Sequence, residues 1–515
     1  MLPALVSSIP VEPLFEHFEA FARESNCIPV YTELTADYET PLSAFGKITK
    51  DGEDAFLLES AEKDEHLGRY SFVGSQPRAV FKAVGSTVAI EEKGKAPVVI
   101  NDVKDPLVEL QNYMARFHPA DDPLLDLPVF SGGAVGYLAY DAVKYFEPTV
   151  GAVENDELGL PEMIFFIADT ILIFDHRFRK LKILHRAFLQ GESAEERVAN
   201  ARGAYDAARA AIDAVVAQLQ LPFASPSFNT LDYADELETR SNTSREEYMS
   251  MVEKAKEFIR AGDAFQIVPS QRFEADFAGT PTDLYRSLRA VNPSPYMFCL
   301  QFSEGFSLVG CSPEVHVRAI DGNIAIRPIA GTRWRGKTKE EDDALADELL
   351  NDPKERAEHI MLVDLARNDV GRVAEFESVT VDDFMIIERY SHVMHIVSNV
   401  SGKLKPECSA YDVMRATFPA GTVSGAPKVR AMQIINDLEK SKRCTYAGAV
   451  GYFGFDGNHD SCIALRTAVV KDGKVYVQAG AGVVADSDPA YEYTETVNKA
   501  RAIIRAVAKA PDGSP

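Results

Sequence analysis

Two segments of the sequence carry pairs of glutamates at a spacing that could bind a divalent cation. In NDPKERAEHIMLVDLARND, Glu355 and Glu358 stand three residues apart after an Asp-Pro helix start, and Glu492 and Glu495 repeat this arrangement near the C-terminus. Residues at this spacing share one face of a helix. Two such faces could supply oxygen ligands to Mg²⁺, which takes one or two carboxylates and keeps several waters. Acidic first turns also complement the helix dipole, so the pairs alone leave both interpretations open.

Glycine-rich loops in the same half could hold an anion. Gly480, Ala481 and Gly482 follow the strand-like KVYVQ, and small residues let backbone N–H groups approach an anion closely. Arg466, in the segment ALRTAVV that is predicted to be a strand, could bind a carboxylate through two N–H groups. The loop AGTVSGAPK precedes a helix predicted to begin near Pro427, but it lacks the spacing of an ATP-binding P-loop.

The elements that must position these residues follow no regular β–α–β order. STVAIEEKGKAPVVI and TILIFDHRFRKLKILHRA predict hairpins, and MIFFIADTILIF predicts buried strands. An amphipathic helix is predicted over residues 193–220, and a second helix is predicted to start at Thr243 with Glu246 completing a capping box. GAVGYLAYD at 133–141 recurs as GAVGYFGFD at 448–456, which suggests a related sheet in both halves. The mixture favours an α+β fold.

Composition and charge restrict the class of protein. The chain has 515 residues, of which 46% are hydrophobic and 26% charged, and its formal net charge is −24. This charge argues against nucleic acid or an anionic membrane surface as the main partner, and it requires any bound anion to be neutralised locally. The N-terminus lacks the features of a secretory signal. Six cysteines without a CxxC pair favour reduced thiols in the cytoplasm.

A stretch without clear periodicity, LPFASPSFNTLDYADELETRSNTS, is predicted to be a linker. It divides the chain into an N-terminal domain, residues 1–225, and a second domain, residues 226–515. The glutamate pairs and the glycine loops described above all belong to the second domain. The catalytic chemistry is therefore expected there.

Six motifs occur in one order along the chain, namely PIAGTRWRG, AEHIMLVDLARND, ERYSHVMHIVS, FPAGTVSGAPK, YAGAVGYF and AGAGVVADSDPAYEYTETVNKA. In this order they resemble the chorismate-utilising enzymes, and the resemblance covers essentially the whole chain. It implies an α+β fold in which large antiparallel sheets pack with flanking helices. It also implies chorismate as substrate, a dicarboxylate that fits the need for a locally neutralised anion.

The resemblance also implies roles for individual residues. The implied Mg²⁺ ligands are Glu358, Glu495 and Glu492. The implied catalytic residues are Glu314, Thr332, His395, Thr422 and Glu355. The implied chorismate contacts are Gly331, Thr332, Tyr446, Arg466, Gly480, Ala481 and Gly482. Glu314 would be the general acid that helps the 4-hydroxyl leave, and His395 and Thr422 would orient that departure and the later loss of pyruvate. Taken alone, a histidine among apolar neighbours on a strand, such as His395, is more often a core residue.

Two positions distinguish the reactions of this family. Relatives that make aminodeoxychorismate have a nucleophilic lysine at the position of Ala330, and isochorismate synthases have a lysine base at the position of Gln266. This chain has lysine at neither position, so the resemblance implies that free ammonia attacks ring carbon 2. The product, 2-amino-2-deoxyisochorismate, would lose pyruvate to give anthranilate. Trp334 replaces a proline frequent in relatives, and the sequence does not indicate the effect.

Partners and regulation follow from the same resemblance. No cysteine lies in a nucleophile turn such as G-x-C-x-G, so a separate glutamine amidotransferase subunit is expected to supply ammonia within a hetero-oligomer. The serine of LLES and the tripeptide PYM imply a tryptophan feedback site formed by Ser60, Pro295, Tyr296 and Met297. The N-terminal domain would therefore be regulatory. The alternatives are aminodeoxychorismate synthase component I, an isochorismate or salicylate synthase, and a catalytically inactive tryptophan-sensing partner protein.

Overall fold

The computed structural model describes residues 9–50, 52–60, 68–120, 125–222, 237–390 and 393–510. The predicted domain boundary at residue 225 and most of the predicted linker lie outside the described residues. The division into a regulatory and a catalytic domain therefore stays a prediction.

The strands, in chain order, are β1 (Cys27–Thr35), β2 (Ala55–Glu59), β3 (Tyr70–Ser75), β4 (Ala79–Val84), β5 (Thr87–Glu92), β6 (Val98–Ile100), β7 (Gly133–Leu138), β8 (Met163–Ala168), β9 (Thr170–Asp175), β10 (Lys180–Phe188), β11 (Arg240–Ser241), β12 (Gln266–Ile267), β13 (Ser270–Asp276), β14 (Tyr296–Phe302), β15 (Phe306–Ser312), β16 (Val315–Ile320), β17 (Asn323–Ile326), β18 (Ile329–Trp334), β19 (Thr380–Arg389), β20 (Val393–Lys403), β21 (Gly425–Ala426), β22 (Ala449–Gly454), β23 (His459–Ile463), β24 (Thr467–Lys471) and β25 (Lys474–Gly480).

The α-helices are α1 (Phe15–Phe21), α2 (Pro41–Ile48), α3 (Pro106–Met114), α4 (Val143–Phe146), α5 (Ala194–Leu219), α6 (Arg245–Arg260), α7 (Pro281–Val291), α8 (Lys339–Asn351), α9 (Pro353–Gly371), α10 (Ala410–Thr417), α11 (Gly421–Ser424), α12 (Lys428–Leu438) and α13 (Pro489–Lys509).

Two large antiparallel sheets form the centre of the molecule. The first has the strand order β1-β10-β9-β3-β2-β14-β15-β24-β25-β13-β11, and the second has the order β18-β20-β17-β16-β23-β22-β7-β8-β4-β5-β6, with β19 also paired to β20. Strands β12 and β21 form a separate small sheet. The predicted α+β fold with large antiparallel sheets is confirmed.

The sheets pack face to face, and helices cover their outer faces. One buried cluster joins the sheets, with Phe298 and Leu308 from the first sheet and Phe166 and Val450 from the second. A second cluster packs α1, α2, α5, α7 and α13 against the first sheet. Because β8 lies in the middle of this layered arrangement, every residue of its MIFFIA sequence is buried.

Each of the two large sheets contains strands from both halves of the chain. In the first sheet β2 pairs with β14, and in the second β7 pairs with β22. The repeated GAVGY motif lies at this second junction, where Gly136 and Gly451 are opposite one another. The two copies are therefore neighbours in a single sheet, and the halves of the chain share both of their sheets.

Local sequence signals agree with most of the elements. The hairpins β5–β6 and β9–β10 form as predicted, and so does helix α5. Helix α6 is capped by Ser244 and Glu247, not by Thr243 and Glu246 as predicted, because Ser244 accepts a hydrogen bond from the Glu247 N–H. The hydroxyl of Thr243 is buried and donates to Asn242 instead. Within the described part of the chain, no helix combines the length and apolarity needed to cross a membrane.

Candidate active site

Helices α9 and α13 present the predicted metal-binding glutamates. Both begin as the sequence indicated: Asp352 caps α9 through the N–H groups of Lys354 and Glu355, and Asp488 caps α13 through the N–H of Tyr491. A proline occupies the start of each helix, where its missing N–H costs nothing. The caps fix where each helix begins and therefore which face carries the glutamates.

The carboxylates of these helices influence one another. Burial raises the pKa of Glu358, and the negative charges of Glu355 and Glu495 raise it further. Burial raises the pKa of Glu492 as well. Glu355 is paired with Arg333 at 3.3 Å and Glu495 with Lys499 at 2.7 Å. Glu358 instead accepts a hydrogen bond of 3.0 Å from the neutral amide of Gln266. Within the described residues Glu358 therefore forms no ion pair, although the charge of Lys354 lowers its pKa.

The donors are suited to Mg²⁺, although they do not form a closed ligand set. Among the described residues, no group of three or more Asp, Glu, His or Cys side chains is arranged to hold a metal ion. Mg²⁺ needs only one or two carboxylates, because it keeps several waters. Glu358 and Glu495, which repel each other across the two helices, fit that requirement.

The carboxyl of Glu314 lies opposite α9. Burial raises the pKa of Glu314, which immediately precedes β16, while a hydrogen bond from Thr422 and the charges of Lys499 and Arg466 lower it. The Thr422 hydroxyl donates to Glu314 Oε2 at 2.9 Å from the short helix α11. Both residues line a cleft of about 410 Å³ that follows α9 as far as Asp369. A carboxyl with a raised pKa and a fixed orientation is suited to general acid catalysis.

His395 projects from β20 towards the irregular middle of β18, where the pairing of the two strands shifts between Ala330 and Arg333. Its Nδ1 lies 2.7 Å from the Gly331 carbonyl and 3.2 Å from the Thr332 hydroxyl. Since a carbonyl only accepts, the Nδ1 proton is assigned to this bond, and burial lowers the pKa of His395. Gly331 has φ +67°, and a Cβ there would lie 2.9 Å from Leu349 and 3.1 Å from Glu355. The result is a neutral imidazole with Nε2 as its remaining acceptor.

Arg466 occupies a bend, and its prediction on a strand was wrong. It lies between β23 and β24 with φ +46°, and its carbonyl accepts the Cys311 N–H at 3.1 Å. Across the described ranges its guanidinium makes no hydrogen bond and no ion pair. Its charge acts on both Glu314 and His395. An unpaired guanidinium among these groups is suited to binding a carboxylate.

The glycine loop packs directly against other site residues. Gly480 is the last residue of β25 rather than the first after it, and a Cβ there would lie 2.8 Å from the Tyr446 hydroxyl and from the Pro269 carbonyl. A Cβ on Gly482 would lie 2.7 Å from the amide nitrogen of Gln266. Burial raises the pKa of Tyr446, so its hydroxyl stays protonated. A side chain at Gly480 would displace Tyr446, which is predicted to contact chorismate, and a side chain at Gly482 would displace Gln266.

Sequence reasoning missed one residue of this site. Lys499 donates to the Gly480 carbonyl at 3.0 Å and pairs with Glu495 at 2.7 Å. It stands four residues after Glu495 on α13, a spacing that favours ion pairs along a helix. That spacing is visible in the sequence and could have identified it. Lys499 links α13, which carries Glu492 and Glu495, to the glycine loop.

The four residues predicted to bind tryptophan line a second cavity. Ser60, Pro295, Tyr296 and Met297 border a space between the two sheets, together with residues such as Tyr452. The Tyr296 hydroxyl donates to Asp460 at 2.8 Å and accepts from Arg318 at 2.8 Å. The structure therefore brings these four residues together at a junction of the two halves of the chain.

Comparison with known proteins agrees with this architecture. A family model described as chorismate binding enzyme matches residues 53–505. The chain is 47% identical to anthranilate synthase component 1 of Pseudomonas putida, over 95% of this chain and 97% of that protein. It is 48% identical to anthranilate synthase component 1 of Aquifex aeolicus, over 96% of this chain and 97% of that protein.

Solved structures show the same fold. The crystal structure of anthranilate synthase component I from Streptococcus pneumoniae superimposes with a TM-score of 0.73 and 37% identity, over 92% of this chain and 99% of that one. The menaquinone-specific isochorismate synthase of Escherichia coli has a TM-score of 0.67 at 18% identity, over 96% of this chain and 98% of that one, and thus shares the fold. The chain therefore belongs to the family of chorismate binding enzymes.

Proposed function

We propose that this chain is the chorismate-binding subunit of an anthranilate synthase, which converts chorismate and ammonia to anthranilate and pyruvate. The observation that carries the proposal is the chemistry at Ala330 and Gln266. Ala330 offers only a methyl group, and the amide of Gln266 is engaged by Glu358. The Lys499 side chain is engaged by Glu495 and by the Gly480 carbonyl. With these groups, external ammonia is the nucleophile that remains for ring carbon 2.

The first half of the reaction uses the buried acid. Arg466 binds a substrate carboxylate, and Tyr446 with the glycine loop holds the enolpyruvyl side chain. Ammonia forms a bond to carbon 2, the ring double bonds shift, and the bond from carbon 4 to its hydroxyl breaks. Glu314 gives its proton to the departing hydroxyl, which leaves as water, and the Thr422 hydroxyl then stabilises the carboxylate that forms.

The second half removes pyruvate. The neutral imidazole of His395 accepts the proton from carbon 2 through Nε2, while the bond between carbon 3 and the enolpyruvyl oxygen breaks. The enolpyruvate takes up a proton and becomes pyruvate, and the ring becomes aromatic. Gly331 and Thr332 orient the imidazole through Nδ1.

Glu358 and Glu495 would hold Mg²⁺, with Glu355 and Glu492 beside them. When bound, the ion supplies a Lewis acid that neutralises the ring carboxylate of chorismate. The neutral hydrogen-bond partner of Glu358 and the absence of an ion pair to it among the described residues support this assignment.

Tryptophan is proposed to inhibit by binding in the cavity of Ser60, Pro295, Tyr296 and Met297. The cavity has the apolar walls and the polar end that an aromatic amino acid needs. Because both halves of the chain contribute to it, a bound tryptophan can oppose chorismate binding by changing how the halves pack. Ammonia is proposed to come from a glutamine amidotransferase subunit in a hetero-oligomer, since the relatives are named component 1. The cytoplasm is the proposed location.

The deciding experiment is an assay of the purified chain with chorismate, Mg²⁺ and ammonium. Formation of fluorescent anthranilate with an equal amount of pyruvate is expected. Formation of 4-amino-4-deoxychorismate would instead indicate an aminodeoxychorismate synthase, and isochorismate or salicylate would indicate the water-using branch. Absence of any turnover, combined with tryptophan binding, would indicate an inactive sensor. Titration of tryptophan into the active assay tests the feedback site.

A further inference from the structure

A buried arginine that the proposed mechanism does not use lies beneath the chorismate site. Arg443 is 3% exposed, and its guanidinium forms a two-point ion pair with Glu439, with distances of 2.9 Å from Nε and 2.6 Å from Nη2. The same guanidinium donates to two backbone carbonyls, through Nη1 to Val423 at 2.8 Å and through Nη2 to Val268 at 2.5 Å. Only the planar fork of an arginine can serve these partners together.

The two carbonyls belong to segments that carry site residues. Val423 directly follows Thr422, whose hydroxyl donates to the general acid. Val268 lies two residues after Gln266, whose amide donates to the metal-binding helix α9. These segments also meet in the small sheet of β12 and β21, which contains only two residues from each strand. The guanidinium therefore adds a buried connection where the sheet alone is short.

The ion pair reaches two further parts of the site. Glu439 Oε1 accepts hydrogen bonds from the N–H and the hydroxyl of Ser270, at 2.8 and 2.9 Å, and Ser270 is the strand partner of Gly480. The Arg443 guanidinium lies 5.5 Å from the ring centre of Tyr446. The Arg443–Glu439 ion pair thus contacts four segments of the site. They are the segment of Thr422, the segment of Gln266, the strand of Ser270 beside the glycine loop, and the segment of Tyr446.

We propose that Arg443 is a positioning residue for the reaction, holding the Thr422 and Gln266 segments at the substrate through the Val423 and Val268 carbonyls. This proposal rests on the proposed function. Its physical basis is that a misplacement of about 1 Å can lower a catalytic rate by about 100-fold even when the change is remote from the chemistry. Glu439 holds the strand beside Gly480 through Ser270, independently of Arg443. The orientation of the general acid therefore depends on Arg443, whereas the glycine loop depends on Glu439.

The test is Arg443→Lys. Lysine keeps the charge beside Glu439 but cannot reach both carbonyls. We expect kcat to fall by about 10- to 100-fold while the KM for chorismate changes less than about threefold, because Glu439 still holds Ser270. Loss of the Thr422 hydrogen bond raises the pKa of Glu314, so the alkaline limb of the kcat profile should move to higher pH. A kcat within about twofold of wild type, or a rise in KM alone, would overturn the proposal.

Arg186→Lys is the matched control. Arg186 is also buried, at 2% exposure, and donates to the Ser131 carbonyl in the N-terminal half. The Arg186→Lys substitution should lower the melting temperature without moving the alkaline limb of the kcat profile. An equal loss of kcat in this control would show that burying a lysine, and not the position of Arg443, causes the effect.

Two further measurements cover failure of folding or of turnover. If Arg443→Lys does not fold, Arg443→Gln replaces it, since the shorter amide also cannot reach both carbonyls, and the same fall in kcat and the same displacement of the alkaline limb are expected. A crystal structure of the folded variant is independent of activity: the distance from Thr422 Oγ1 to Glu314 Oε2, 2.9 Å here, should exceed 3.5 Å, and an unchanged distance would refute positioning. If the wild type does not form anthranilate, the proposed function is refuted, and the distance between Thr422 and Glu314 still tests the positioning role of Arg443.

Discussion

Glu358→Gln provides a test of the metal site that does not depend on turnover. Glu358 is half-buried, the charges of Glu355 and Glu495 act on it, and a neutral amide is its hydrogen-bond partner. In the absence of Mg²⁺ the substitution removes a repelling charge, and the new amide oxygen can still accept from Gln266. We therefore expect the melting temperature without Mg²⁺ to stay the same or rise. With Mg²⁺, the variant should gain less stability than the wild type.

The size of the effect follows from ligand linkage. An ion present at about 100 times its dissociation constant stabilises the folded state by about 2.7 kcal/mol. An unfolding entropy of about 2.1 cal/mol/K per residue gives about 1.1 kcal/mol/K for the 515-residue chain, because the shared sheets make it unfold as one unit. The wild type should thus gain about 2.5 °C. Loss of one ligand weakens binding at least about tenfold, which reduces the gain to about 1 °C.

The assay is thermal unfolding followed by circular dichroism during a Mg²⁺ titration. Glu16→Gln serves as the matched control, because Glu16 is an exposed glutamate on α1, a helix of the N-terminal half that packs against α5. Its melting temperature should rise with Mg²⁺ as in the wild type. Equal gains for wild type and Glu358→Gln, or a lower melting temperature of Glu358→Gln without Mg²⁺, would refute the assignment of Glu358 as a ligand.

Three other substitutions test the remaining parts of the proposal. Thr422→Val removes the hydrogen bond to Glu314. Because a charged hydrogen bond contributes about 1.5–3 kcal/mol, kcat should fall by about 10- to 100-fold. The alkaline limb of the pH–rate profile should move to higher pH, and an unmoved limb would contradict this role. Ala330→Lys should abolish the formation of fluorescent anthranilate. Undiminished product would exclude the role proposed for the small side chain of Ala330. Ser60→Phe should raise the tryptophan concentration for half-inhibition at least tenfold, whereas an unchanged value would remove Ser60 from the feedback site.

Local signals predicted the helix starts well, because a cap depends on a few neighbouring residues. Asp352 and Asp488 precede prolines, and both helices begin there. Thr243 and Ser244 were equally good caps in sequence, and only the burial of Thr243 decided between them. Arg466 was misassigned because ALRTAVV reads as one apolar strand, while a residue with positive φ interrupts it. Hydropathy carries no information about the backbone bend at Arg466.

Contacts across the chain were less accessible to sequence reasoning. The roles of Glu314 and His395 came from resemblance to a family, since neither residue has an informative neighbour in sequence. Arg443 was missed because its partners at Val423 and Val268 are backbone carbonyls, which every residue carries. The junctions of β2 with β14 and of β7 with β22 depend on pairing between distant strands, and the GAVGY repeat was the only hint of one of them.

The shared sheets also affect how the protein is made. When β7 leaves the ribosome, its partner β22 is still roughly 300 residues from completion, which is roughly 15–60 s at a synthesis rate of about 5–20 residues per second. During that interval the growing chain displays an unpaired apolar strand edge, the type of surface that recruits other nascent chains. We expect the yield of active protein in a cell to depend on chaperones that shield this edge and on growth temperature.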